Sequence, residues 1–156
     1  MARNGMTAKE AFKAVCNMLD SANLKYDTDV SELKVICGIQ GDDFPVRMQI
    51  LIDEDHTLVA LYSQMPFDVP EDKRIEFALA ISKVNNSLAD GSFDYDMRDG
   101  SILFRLTLSY LDSFIGNDAF FYQLLVSFKT IDQYNDKFFM LSKGAISIED
   151  FLASED

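Results

Sequence analysis

A chain of 156 residues, 48% of them hydrophobic and 13 of them phenylalanine, can form one domain that hides roughly 68–70% of its unfolded surface, which excludes a disordered polymer. Its net charge of −12, from 26 acidic and 14 basic side chains, opposes non-specific binding to nucleic acid or to an anionic membrane, since both attract a cationic face. No run approaches the roughly 18 apolar residues of a membrane span, and "MARNGMTAKEAF" has no apolar signal core. The expectation is therefore a single cytoplasmic domain over residues 1–156, with a short helical tail from about residue 142 onward.

In chain order, "TAKE" at Thr7–Glu10 is a capping box. Behind it Ala8, Ala11, Phe12, Val15, Met18, Leu19 and Ala22 recur at helical spacing, which predicts a first helix from Ala8 to Ala22. "SANLKYDTD" breaks that pattern. Three alternating segments follow: "LKVICGI", "FPVRMQILI" and "TLVALYS". The turns "QGDD" and "DEDH" separate them, so they predict an antiparallel meander.

In "MPFDVPEDKRIEFALAISKVNNSL" the period changes to that of a helix. Asp68 and Glu71 are a candidate cap pair, with Pro70 in the first turn. Ile75, Ala78, Leu79 and Ser82 form one stripe, and Phe77, Ile81, Val84 and Leu88 form another. So wide an apolar arc suggests burial on more than one side. Asn85 and Asn86, at the helix exit, suit capping or bridging of backbone groups.

Next, Phe93, Tyr95 and Met97 alternate with acids, and Ile102, Phe104, Leu106 and Leu108 alternate again across "RDG". This predicts a hairpin with Asp99 and Gly100 in its turn. A Phe-rich third helix begins after "NDA", with a candidate break at "DQYND" and a stop at "SKG"; Ser147 and Asp150 open a last helical turn. The predicted class is α+β: a five-stranded antiparallel sheet packed with helices, in the order α-βββ-α-ββ-α.

The acidic stretch "SFDYDMRDGSILFRLTL" fails as a calcium loop on register. Counting from Asp94 puts Arg98, Asp99 and Arg105 where an EF-hand needs an oxygen ligand, a glycine and a glutamate. Asp53, Glu54, Asp55 and the only histidine, His56, point in different directions as neighbours in a turn. One histidine supplies no His-rich zinc site, and Cys16 and Cys37 fit no zinc spacing. They read as reduced, mostly buried thiols. A Cys16–His56 nucleophile pair is outweighed by the place of Cys16 beside the apolar stripe of the first helix. No phosphate-binding glycine loop is present. These residues name no catalytic, metal or cofactor site.

The "VPEDKR" helix opening, the "VNNSLADGSFDYD" helix exit and the "DGSILFRLTL" strand sit within that order of elements. On these features the chain resembles the YbjN family of bacterial proteins, described as sensory transduction regulators. The resemblance implies a type III secretion chaperone-like fold that binds other proteins and is commonly dimeric. It implies no catalytic residue.

Two functions are carried forward. The first is a non-enzymatic protein-binding module, chaperone-like or regulatory, whose partner is another protein or a second copy. Alternation puts Val35, Met48, Ile50, Leu58, Ala60, Phe104 and Leu106 under the helices. The opposite face then mixes Ile36, Leu51, Val59, Leu61 and Leu103 with Arg47, Gln49, Arg105 and Thr107. Those five apolar residues are the candidate interface for a partner, and Phe77 is the candidate for self-association. The second function is a small acidic ligand-binding protein or enzyme with a carboxylate pocket. It requires a convergent cluster of perturbed acids.

Overall fold

The structure, a computed structural model, describes residues 4–156. Helix α1 spans Ala8–Ser21 and opens with the expected capping box. Thr7 Oγ1 accepts from the Glu10 amide at 3.2 Å, and Glu10 accepts from the Thr7 amide at 2.8 Å. Two of the orphan amides of the first turn are satisfied by this exchange. Its buried stripe, Ala8, Ala11, Val15, Met18 and Leu19, packs onto the sheet and onto the long third helix.

Six strands follow: β1 (Tyr26–Asp29), β2 (Lys34–Gln40), β3 (Pro45–Asp53), β4 (Leu58–Gln64), β5 (Ser92–Asp96) and β6 (Ser101–Ser109). They form one sheet in the order β1-β2-β3-β4-β6-β5, antiparallel throughout. The sheet therefore has six strands and not five. The extra strand is the segment where the helical pattern stops. Its residues, "YDTD", are exposed apart from the half-buried Tyr26. Backbone pairing with β2 makes it a strand, and side-chain alternation carries no trace of it.

Helix α2 (Arg74–Ser87) starts later than the candidate cap pair implies. A 3₁₀ turn at Glu71–Lys73 precedes it, and no side chain caps either element. The Arg74 guanidinium secures the junction by donating to the carbonyls of Val69, Arg98 and Asp99. It thereby ties the helix start to the β5–β6 turn. That turn needs Gly100, whose φ is +79°; an added Cβ would lie within 2.8 Å of Val69 N. Phe93 and Phe104 both point into the core and meet edge to face at 5.2 Å, as the hairpin reading requires.

At the helix exit, Asn85 donates to the Phe93 carbonyl at 3.0 Å and accepts from the Phe93 amide at 2.8 Å. Its carboxamide takes the place of a seventh strand beside one residue of β5. An edge strand is an open template for pairing, and a side chain that fills it blocks that hazard.

Helix α3 (Asn117–Ser142) is continuous through "DQYND", with no break. Packing overrides the polar run: Ile131, Tyr134, Asn135 and Phe138 are all buried. Gln123, also buried, donates to the carbonyls of Val59 and Leu106 at 2.9 and 3.0 Å, fastening α3 to β4 and β6. Helix α4 (Ile148–Ser154) is capped by Ser147 and puts Phe151 against Phe138, ring centroids 5.8 Å apart. One cluster of buried side chains joins all four helices to the same face of the sheet.

Candidate protein-binding surface

The pairing register determines which side chains share that face. Ile50 lies opposite Leu61, and Leu61 lies opposite Leu106; Leu51 lies opposite Ala60, and Ala60 opposite Thr107. Residues directly opposite one another point to the same side of a sheet. The helix-covered side is therefore Val35, Cys37, Met48, Ile50, Val59, Leu61, Phe104 and Leu106, all buried. This corrects the expected phase of β4. Val59 and Leu61 are core residues, while Leu58 and Ala60 belong to the opposite side. The physical reason is that "LVAL" is apolar at every position, so alternation within β4 cannot tell its two faces apart.

Among the described residues, no helix covers the opposite side. Ile36, Leu51 and Leu103 lie there half-buried, as expected, together with Leu58 and Tyr62. Arg47, Gln49, Arg105 and Thr107 stand between them and are exposed. A shallow hollow of about 520 Å³ in the middle is lined by Arg47, Gln49, Tyr62, Gln64 and Leu103. A neighbouring one of about 680 Å³ surrounds Gly38, between Lys25 and Arg47. Alternation places Gln49 on this face; it misses Tyr62 and Gln64 because they share the phase of Leu58 and Ala60, which alternation puts under the helices.

The α2 stripes also separate. Phe77 is fully buried, against Tyr95 and Phe138, with Ala80, Ile81 and Val84 beside it. It is a core residue and not a surface contact. The other stripe is the one left open: Ile75 is 78% exposed and Leu79 is 56% exposed. Two large aliphatic side chains one helical turn apart make a short apolar ridge on the outside of the molecule.

The acids do not converge on a cleft. Asp94 pairs with Arg105 at 2.9 Å, Asp96 with Arg98, and Asp99 accepts from the Ser101 amide. The Arg98 hydrogen bond pulls the Asp96 carboxyl down to about 2. Asp43 is pushed up by burial and then by Asp136, Asp42 and Asp132, but this group surrounds an exposed turn at Gly41. Asp53 accepts from His56 Nδ1 at 2.8 Å in another exposed turn. Cys16 has Tyr26 and Asp20 as its neighbours, so the thiol and the imidazole have different partners. Burial pushes the Cys37 thiol up to about 11. No group of three His, Cys, Asp or Glu side chains among the described residues is arranged to hold a metal ion. No helix among them is long and apolar enough to cross a membrane.

The family whose pattern matches residues 12–140 is YbjN, described as "Putative bacterial sensory transduction regulator". The chain belongs to the YbjN family. Its fold is similar to that of Escherichia coli YbjN, described as a putative transcription regulator, with a TM-score of 0.58 at 14% identity over 78% of this chain and 85% of that one. It is also similar to a chain of the HopA1–SchA chaperone–effector complex, with a TM-score of 0.54 at 11% identity over 84% of this chain and 98% of that one. A chain of the Pseudomonas aeruginosa ExoT–SpcS complex gives a TM-score of 0.52 at 9% identity, over 79% and 95% of the two chains. The YbjN fold of this protein is thus type III secretion chaperone-like, an α+β architecture with an antiparallel sheet. No match is found among curated proteins.

Proposed function

We propose that this YbjN-family protein is a non-enzymatic protein-binding module of the cytoplasm, chaperone-like or regulatory in role. The observation that carries the reading is the uncovered sheet face, where Ile36, Leu51, Leu58, Tyr62 and Leu103 are not closed over by a helix among the described residues. An antiparallel sheet with one packed face ordinarily presents a polar second face. Here that face is half apolar, as an interface requires. The chaperone-like relatives are known as complexes of two proteins, which supports the same direction. The α2 ridge of Ile75 and Leu79 is the proposed surface for self-association.

The test uses folded variants of the open face. Leu51→Asp and Leu103→Asp are expected to keep the wild-type circular dichroism spectrum. Partner recovery from the native host, read by mass spectrometry, falls with either. Undiminished recovery of the same partner by both variants refutes the assignment of this face.

A further inference from the structure

The two hollows on the open face share one wall, and that wall is Arg47. The other arginines among the described residues are all engaged. Arg74 donates to three carbonyls, Arg98 is held by Asp96 and Arg105 by Asp94. Arg47 has no bonded partner for its guanidinium among the described residues, and neither has the ammonium of Lys25 across the Gly38 hollow. Lys25 and Arg47 thus stand unpaired around one hollow, which Asp27 also lines, so the two cations outnumber the single acid there. Between them Gly38 supplies no side chain, so bare backbone forms the floor. Beyond Arg47 the second hollow continues past Gln49, Tyr62 and Gln64 to Leu103.

We infer that this trough binds an extended segment of a partner polypeptide whose carboxylate sits between Lys25 and Arg47 and whose aliphatic side chain rests on Leu103. The inference rests on the protein-binding reading above and adds the chemistry of the partner. A guanidinium is the group best matched to a carboxylate, through two parallel hydrogen bonds. The spacing follows from the sheet. From β2 to β6 there are three strand intervals, about 14 Å in all. An extended chain covers that distance in about four residues. Side chains at alternate positions face the same way, so an acid and an aliphatic residue four apart both point at the sheet. The residue midway lies over Gln64, which is opposite Leu103, with Tyr62 in the neighbouring row. The acidity of the rest of the chain repels competing acidic segments elsewhere, which confines the anchor to this place.

The probe is the peptide Glu-Thr-Val-Thr-Leu, its reversed sequence, and versions of both with Lys in place of Glu. Binding is followed by amide chemical shifts of the full-length protein. The expected result is saturable shifts at Gly38, Arg47, Tyr62 and Leu103 with a Glu peptide and weaker binding at high salt. In Arg47→Glu, with the unbound spectrum otherwise preserved, affinity falls by about tenfold or more, the size of one charge-assisted hydrogen bond. Lys peptides that bind as well as Glu peptides, or an Arg47→Glu variant with full affinity, would overturn the carboxylate anchor while leaving the face a binding surface. Absence of shifts on the sheet with every peptide at millimolar concentration counts against both. A change of oligomeric state in Arg47→Glu by light scattering would also overturn the proposal, because it would make a second copy the occupant.

Discussion

Asn85 shows how one side chain determines the end of a sheet. Its amide satisfies both backbone groups of Phe93, and Phe93 itself is 1% exposed, so water has little access to replace the lost bonds. Asn85→Ala is expected to cost about 1–3 kcal/mol in denaturant unfolding, as for a buried backbone group left unpaired. Asn85→Asp keeps the acceptor and loses the donor, so it should recover part of that loss. Asp96 supplies a pH-dependent contact of a different kind. Its folded pKa, about 2, lies below the ordinary value of about 3.9 for an unfolded aspartate. Its contribution to stability is therefore present above about pH 4 and is lost as pH falls toward 2. A carboxyl-detected NMR titration should place its midpoint near 2, and Arg98→Ala should move that midpoint up toward the ordinary range.

At the scale of elements, helix α2 carries two apolar stripes with opposite fates. Phe77→Glu buries a charge beside Tyr95 and Phe138 and should cost about 4 kcal/mol or more, abolishing the cooperative melt. Ile75→Glu should leave the melt within about 0.5 kcal/mol of wild type, because the side chain already faces solvent. If the ridge joins two copies, Ile75→Glu also lowers the mass seen by light scattering; an unchanged mass at high concentration removes the ridge as a self-association surface. Strand β4 gives the matching pair. Leu61→Asp should unfold the chain, and Leu58→Asp on the other face should not, as circular dichroism will report.

For the whole molecule, the dominant long-range effect is self-repulsion. Fourteen basic against 26 acidic side chains leave −12, and like charge on a compact body favours expansion. Added sodium chloride screens that repulsion over a Debye length of about 10 Å at 0.1 M. The melting temperature in calorimetry should therefore rise as salt is added from a low-salt buffer. A melting temperature that falls over the same range would mean that the pairs Asp94–Arg105 and Asp96–Arg98 outweigh the net charge. Salt also separates the two proposed contacts. Self-association through the aliphatic ridge on α2 joins two bodies of like net charge and should strengthen as salt is added, whereas a carboxylate held by Arg47 and Lys25 should bind more weakly.

Periodicity and punctuation in the sequence were enough for helix α1, the β2–β3–β4 meander, the β5–β6 hairpin and the Ser147 cap, because each depends on contacts a few residues apart. The capping box and the Gly100 turn are of this local kind. Strand β1 was not legible: "YDTD" has no apolar face, and only its backbone pairing with Lys34–Cys37 makes it a strand. The continuity of α3 was decided by burial of Tyr134 and Asn135, against a polar run that favours a break. Ile36, Leu51 and Leu103 were placed on the outer face by alternation, since each strand there has polar neighbours that set the phase. Val59, Leu61 and Phe77 were not, because a run of apolar residues in β4 and a double stripe in α2 fit either orientation. Only the pairing of Leu61 with Ile50 and the packing of Phe77 on Phe138 select one. Local sequence determined where the elements lie; which side of each element meets solvent was decided by long-range contacts that no local pattern encodes.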